Sequence, residues 1–139
     1  MTPAESFPYR PSSDERGQAL LRPILSFRLS DNERNIETQA LLDTGATVNV
    51  LPYETGEVLG LQWSRLTRPV VLTGNLARYE ARAVLLAAYI GPFAPVELVF
   101  AWTRAPGIPA LLGQVNFFAE FDACFFHSRL MFELQPKPT

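Results

Sequence analysis

Asp43, Thr44 and Gly45 follow directly on the apolar run Ala40-Leu41-Leu42, and no other stretch of the chain is so well suited to chemistry. The apolar residues ask for a buried strand, yet a carboxylate is costly to bury unless it is hydrogen-bonded or neutralised. Thr44 offers a hydroxyl, and Gly45 lets the backbone turn tightly and aim its N–H groups at the carboxylate. A second apolar run follows at Val48, Val50 and Leu51. A carboxylate presented by a tight turn between two strands is placed for acid–base work. The same residues also suit an Asx-type turn in which Asp43 only caps its own backbone.

The elements that must position this turn are mostly strands. Leu25, Phe27 and Leu29 alternate with Ser26 and Arg28, and Ile36, Thr38, Ala40 and Leu42 share a second face. With Ser30-Asp31-Asn32-Glu33-Arg34-Asn35 as the polar turn, the two runs form a hairpin that delivers Asp43 at its end. An ordinary sandwich edge has the same pattern. Val48 to Leu51 is a short strand, and Pro52 suits the first position of a helix over Tyr53 to Leu59, weakened by Gly56 and stopped by Gly60. Pro69 to Leu72 and Ala81 to Tyr89 flank a Thr73-Gly74-Asn75-Leu76-Ala77 tip and predict a further hairpin. Val96 to Trp102 is a strand, and Ala110-Leu111-Leu112-Gly113 is an apolar strand abutting a glycine that permits close backbone packing. Gln114 to Phe121 predicts a short helix with Phe117, Phe118 and Phe121 inward. Phe125-Phe126 and Leu130, Phe132 and Leu134 predict a closing hairpin.

Leu41-Leu42-Asp43-Thr44-Gly45-Ala46 resembles the active-site motif of the retropepsins, the single-motif aspartic proteases. Ala110-Leu111-Leu112-Gly113, some 70 residues downstream, resembles that family's second apolar-apolar-Gly element. The resemblance implies an all-β fold: a closed barrel of antiparallel strands and hairpins, with a flap hairpin and one or two short helices. It implies Asp43 as the catalytic residue, Thr44, Gly45 and Ala46 as the active-site turn, and Leu111, Leu112 and Gly113 as its support. It places the flap at Leu72, Thr73, Gly74, Asn75 and Leu76, where a plain surface hairpin is the other reading. Such chemistry needs two carboxylates a hydrogen bond apart sharing one proton. One Asp-Thr-Gly per chain therefore implies a symmetric homodimer acting on a polypeptide substrate, with no cofactor and no metal. Thr44 would then bond across the two-fold axis.

Two positions depart from the usual pattern. Gln114 stands where many viral members carry Arg, and Ala46, where Ser would add a hydroxyl donor, predicts a less acidic working pH than a Ser variant has. Val71, Leu72, Leu76, Ile108 and Leu111 are the candidates to line an apolar cleft. A retropepsin-fold module that binds or dimerises without cleaving is the alternative function, and a β-barrel with a purely structural Asp43 turn is a third.

Composition narrows the field. At 139 residues the chain is one domain: a flexible tail over residues 1–19, the globular part over 20–135, and a short tail over 136–139. Hydrophobic residues make up 47% and charged residues 19%, a globular balance. A net charge of −2 with no basic cluster gives no footprint for nucleic acid. Neither a basic-then-apolar leader nor an apolar run of about 18 residues occurs, which predicts no membrane span and a soluble, cytoplasmic domain, or a piece of a longer anchored protein. A single cysteine, Cys124, excludes an internal disulfide and reads as a small buried apolar residue. His127, the one histidine, reads as a turn residue, and Asp122 as a turn or cap. No phosphate loop or metal-ligand spacing appears.

Overall fold

The structure, a computed structural model, describes residues 2–14, 16–32 and 34–138. Met1 and Glu15 of the expected tail, Glu33 of the expected turn and Thr139 lie outside the described residues. In chain order the strands are β1 (Glu5–Pro8), β2 (Arg10–Ser13), β3 (Ala19–Arg22), β4 (Ile24–Asp31), β5 (Arg34–Leu42) and β6 (Asn49–Pro52). After helix α1 (Tyr53–Val58) come β7 (Ala81–Tyr89), β8 (Val96–Thr103) and β9 (Ala110–Leu112). Helix α2 (Phe117–Glu120), β10 (Phe121–Phe126) and β11 (Met131–Pro136) complete the chain.

Six strands close into a barrel in the order β4-β5-β9-β6-β8-β7, with β7 returning to pair with β4. The β4–β5 hairpin is the one the alternation predicts: Leu25, Phe27 and Leu29 are buried and Ser26 and Arg28 face out. Most barrel pairings are antiparallel, but β5–β9 and β6–β8 are parallel. The core gathers Trp102, Phe100, Phe117, Phe121, Phe132 and the aliphatic inward faces of β4, β7 and β8. A smaller cluster of Val50, Leu72, Ala81 and Ala101 lies apart from it, with Leu76 and Leu111 packed alongside.

Helix α1 carries a glycine at its centre for a packing reason. A Cβ on Gly56 would stand 2.2 Å from the Trp102 indole nitrogen. That nitrogen donates to the Tyr53 carbonyl at 3.1 Å, and the Tyr53 and Trp102 rings stack at 5.1 Å. The helix-propensity loss at Gly56 is thus offset by an indole that no other residue would let so close.

The amino-terminal stretch departs from the tail read from its composition. Glu5 to Pro8 pair antiparallel with Leu134 to Met131, giving a three-stranded sheet in the order β1-β11-β10. Phe7 stacks on the buried Phe132 at 5.4 Å. β2 and β3 pair with each other as a separate ribbon. For β1 the local composition offered no apolar period, because its stabilising partner, β11, lies at the far end of the sequence.

Three further differences have local causes. Helix α2 begins only at Phe117, because Gln114 and Val115 donate to the Ala46 and Thr47 carbonyls and Val115 bridges Val48. Phe117 and Phe121 point inward as expected, whereas Phe118 is half-buried. Cys124 is exposed rather than buried, sharing the outward face of β10 with Asp122, which lies within the strand rather than at a turn. His127 lies in the short turn between β10 and β11.

Candidate active site

Asp43 sits where β5 ends, and the barrel grips the backbone on either side of it. The Leu42 amide donates to the Pro23 carbonyl at 3.0 Å, and the Asp43 amide donates to the Leu112 carbonyl at 2.9 Å. The chain then turns back, with the Ala46 amide donating to the Asp43 carbonyl at 3.1 Å. The Gly45 amide donates to Asp43 Oδ1 at 2.9 Å, and a Cβ on Gly45 would come within 3.3 Å of that oxygen. The carboxylate is half-buried, while Thr44 and Gly45 are exposed on the outer side of the turn. This geometry fixes the carboxylate without enclosing it.

The second motif supports the turn from below. Leu41 and Leu42 run parallel to Leu111 and Leu112, and Leu111 also faces Val50. Gly113 lies against the backbone of the turn. A Cβ there would meet the Val48 carbonyl oxygen at 2.6 Å and that of Ala46 at 2.7 Å, so only glycine fits. Gln114, at the position noted for its departure from Arg, donates from its backbone to the Ala46 carbonyl and from Nε2 to the Thr44 carbonyl at 2.8 Å. It ties the two motifs together without a charge.

One organising residue escaped the sequence reading. Asn49, fully buried in β6, accepts from the Gly113 amide through Oδ1 at 2.8 Å. Its amide nitrogen donates to the Val99 carbonyl at 2.9 Å and to Asn116 Oδ1 at 3.1 Å. Asn116 Oδ1 in turn accepts from the Val99 amide, and Asn116 Nδ2 donates to the Glu97 carbonyl. The signal was a lone amide side chain between Val48 and Val50, in a run otherwise built for burial.

Above the turn lies a cavity of 170 Å³ lined by Asp43, Ala46, Thr47, Val48, Val50, Leu72, Thr73, Leu76 and Leu111. Three of the five expected flap residues, Leu72, Thr73 and Leu76, thus reach the carboxylate's cavity, and Gly74 and Asn75 do not line it. The descending arm of the expected hairpin is reduced to a bridge of Pro69 opposite Arg82, and its tip is a 3-10 turn over Gly74–Leu76. Pro69 takes the bridge position whose N–H would point away from β7; beyond Val70 the chain leaves the sheet, and Gly74 turns at a positive φ of 64°. Val71, expected in the cleft, is 85% exposed and points away. Ile108 packs against the small cluster beneath the loop but does not line the cavity. Among the described residues no group of three or more His, Cys, Asp or Glu side chains is placed to hold a metal ion. No helix is long and apolar enough to cross a membrane.

Comparison with known proteins follows this geometry. Residues 28–115 match the family model described as aspartyl protease, a span that runs from β4 through the Asp43 turn to the second motif. No curated protein sequence matches the chain. Among solved structures, a retropepsin-like aspartic protease from Rickettsia conorii superposes with a TM-score of 0.61 at 18% identity, covering 95% of this chain and 92% of its own. The retroviral protease-like domain of Ddi1 from Leishmania major gives 0.55 at 13% identity, covering 83% of this chain and 94% of that domain. EIAV protease complexed with the inhibitor HBY-793 gives 0.50 at 19% identity over 67% of this chain and 82% of its own. The family match covers more than half of the chain and contains the turn, and the structural likenesses carry the architecture. This chain belongs to the aspartyl protease family and has the retropepsin-like fold.

Proposed function

We propose that the protein is a homodimeric aspartic endopeptidase in which Asp43 of each subunit contributes one carboxylate to a shared site. The observation that carries this reading is the placement of Asp43: a backbone-locked carboxylate lining a cavity together with Val48, Val50, Leu72, Leu76 and Leu111, with Thr44 exposed beside it. One subunit holds one such carboxylate, and hydrolysis by this route needs two. In the pair, one carboxylate is ionised and the other protonated, since like charges at that separation do not both ionise. The ionised member takes a proton from water as the water oxygen bonds to the peptide carbonyl carbon. The protonated member gives its proton to the carbonyl oxygen. The tetrahedral intermediate then collapses: the carboxyl that took the water proton gives it to the departing nitrogen, the other carboxylate takes a proton back from a hydroxyl of the intermediate, and the C–N bond breaks. Leu72, Leu76, Val50 and Leu111 favour an apolar substrate side chain next to the scissile bond.

A cavity of 170 Å³ holds a side chain and not a polypeptide, so the 71–80 loop must lift to admit substrate. The same closed roof favours a second reading, a retropepsin-fold module that binds or dimerises without turnover. Asp43→Asn separates the two. It preserves size and most hydrogen bonding, so the variant should fold with an unchanged melting temperature. In an enzyme it abolishes cleavage of a peptide library while peptide binding persists. A wild-type protein that binds peptides yet cleaves none, with Asp43→Asn indistinguishable from it, would establish the module instead.

A further inference from the structure

We infer that Arg82 is a positioning residue for the roof of the site: it clamps the root of the 71–80 loop and so sets where Leu72 and Leu76 stand relative to Asp43. This rests on the aspartic protease reading for its consequence in catalysis, but the clamp itself is a feature of the fold. Arg82 lies on β7 directly opposite Pro69, at the one bridge that joins the two legs of the loop. Its Nη1 donates both to the Trp63 carbonyl and to the Leu66 carbonyl, the latter at 3.1 Å. These carbonyls belong to a 3-10 turn over Trp63–Arg65 and the residue that ends it. The guanidinium also packs over the Trp63 ring at 4.5 Å, and Arg104 approaches the same ring at 4.4 Å. Trp63 is in turn edge-on to the fully buried Trp102 at 5.2 Å. Arg82 thereby ties a barrel strand to the segment whose Trp63 and Leu66 pack against the core.

The backbone adds one pair of bonds to this hold. Ala83 donates to the Arg68 carbonyl and Val70 to the Ala81 carbonyl, both at 2.9 Å, on either side of Pro69. Immediately beyond these two bonds the chain enters the loop whose Leu72, Thr73 and Leu76 line the Asp43 cavity. On the outer side of the same loop lies a larger cavity of 640 Å³, lined by Val70, Val71 and Ala77 to Arg82 among others, so this segment has open space behind it. With room on one side and an apolar cavity on the other, the angle at which the loop leaves the barrel is fixed at its root. Arginine suits the task because the two N–H groups of one guanidinium nitrogen serve the two carbonyls while the planar group lies over the Trp63 indole. Glu80 Oε2, 4.0 Å from Arg82 Nη2, is largely exposed and adds little.

The test uses Arg82→Ala and Arg82→Lys in the intact protein, read in two ways. Hydrogen exchange over residues 68–80 should accelerate in Arg82→Ala, roughly tenfold or more for the Val70, Ala77 and Tyr79 amides. That is the scale of losing one charge-assisted hydrogen bond. The Gly45, Ala46 and Gln114 amides should keep their protection. Arg82→Lys, which keeps the charge and a donor but loses the planar group over Trp63, should fall between Arg82→Ala and wild type, and it decides the matter if Arg82→Ala does not fold. On a peptide that the wild type cleaves, KM should rise by more than kcat falls, because the loop contacts bind substrate while the carboxylates are untouched. Unchanged exchange over 68–80 in Arg82→Lys and in any folded Arg82→Ala would overturn the clamp. A clamp visible by exchange in a protein that cleaves nothing would leave the positioning role standing and remove the protease reading.

Discussion

Asn49 shows how much of the site rests on single side chains that touch no substrate. Its carboxamide, itself fully buried, joins the second motif at Gly113, strand β8 at Val99 and the start of α2 at Asn116. Replacing it with Leu keeps volume but strands the Gly113 amide and the Val99 carbonyl without partners, and each buried orphan costs about 1–3 kcal/mol. Asn49→Leu should therefore lose about 3 kcal/mol, a drop of about 10 °C in melting temperature for a domain of this size. Asn49→Asp keeps the acceptor for Gly113 and should lie between. Calorimetry checks both, and an Asn49→Leu variant as stable as wild type would remove Asn49 from the support of the turn. The contrast with Asp43 explains what the sequence could tell. The Asp43 turn is a local contract among Leu42, Asp43, Gly45 and Ala46, so its residue types declare it. Asn49 draws its partners from three separated segments, and no pattern around position 49 records them.

At the scale of elements, the barrel strands were legible where burial alternates, as in β4, and the terminal strands were not. β1 contains Pro8 and a single aromatic, Phe7, and it forms a strand because β11 presents a complementary edge and a ring to stack on. The hairpin expected at the 69–89 stretch differs for the opposite reason: two apolar runs about a Gly-Asn tip read as paired strands, but only Pro69 bridges β7, and the chain beyond Val70 leaves the sheet for a turn with a left-handed Gly74. β1 offers a direct check. If residues 1–9 were a passive tail, removing them would leave stability unchanged. In this fold the deletion uncovers Phe132, which is fully buried, and removes a strand from a three-stranded sheet. Truncation should cost about 2–4 kcal/mol, and Phe7→Ala, from a half-buried site, about 2 kcal/mol. Denaturant unfolding of the truncated and point variants measures both, and equal midpoints for truncated and full chains would return this stretch to the status of a tail.

The molecule as a whole has to be asked where a second subunit joins. Chain ends that interleave between subunits would need to be free, but here β1 is already paired with β11 of its own chain. The sheet order β1-β11-β10 leaves β10 with an outer edge that has no strand partner among the described residues. β10 follows α2 directly, and α2 follows the Gly113-Gln114 segment that holds the Thr44 carbonyl, so this edge is continuous with the support of the Asp43 turn. An unpaired edge is a template for another strand, and two copies related by a two-fold axis would pair β10 with β10 antiparallel, extending the sheet across the subunits. Cys124 stands near the middle of β10 and is exposed. Near the middle of a strand paired with its own copy, it would lie within about one or two residue spacings of its mate. A short thiol-reactive bifunctional reagent should then give a covalent dimer in high yield, and Cys124→Ser should give none. Sedimentation across concentration supplies the independent arm: the weight-average mass should rise toward two subunits and do so at lower concentration when a statine-type transition-state mimic is present, because the mimic binds only where both Asp43 carboxylates meet. A monomer at every concentration, indifferent to the mimic and uncrosslinked at Cys124, would leave each Asp43 without a partner and make the non-cleaving module the better account of the same fold.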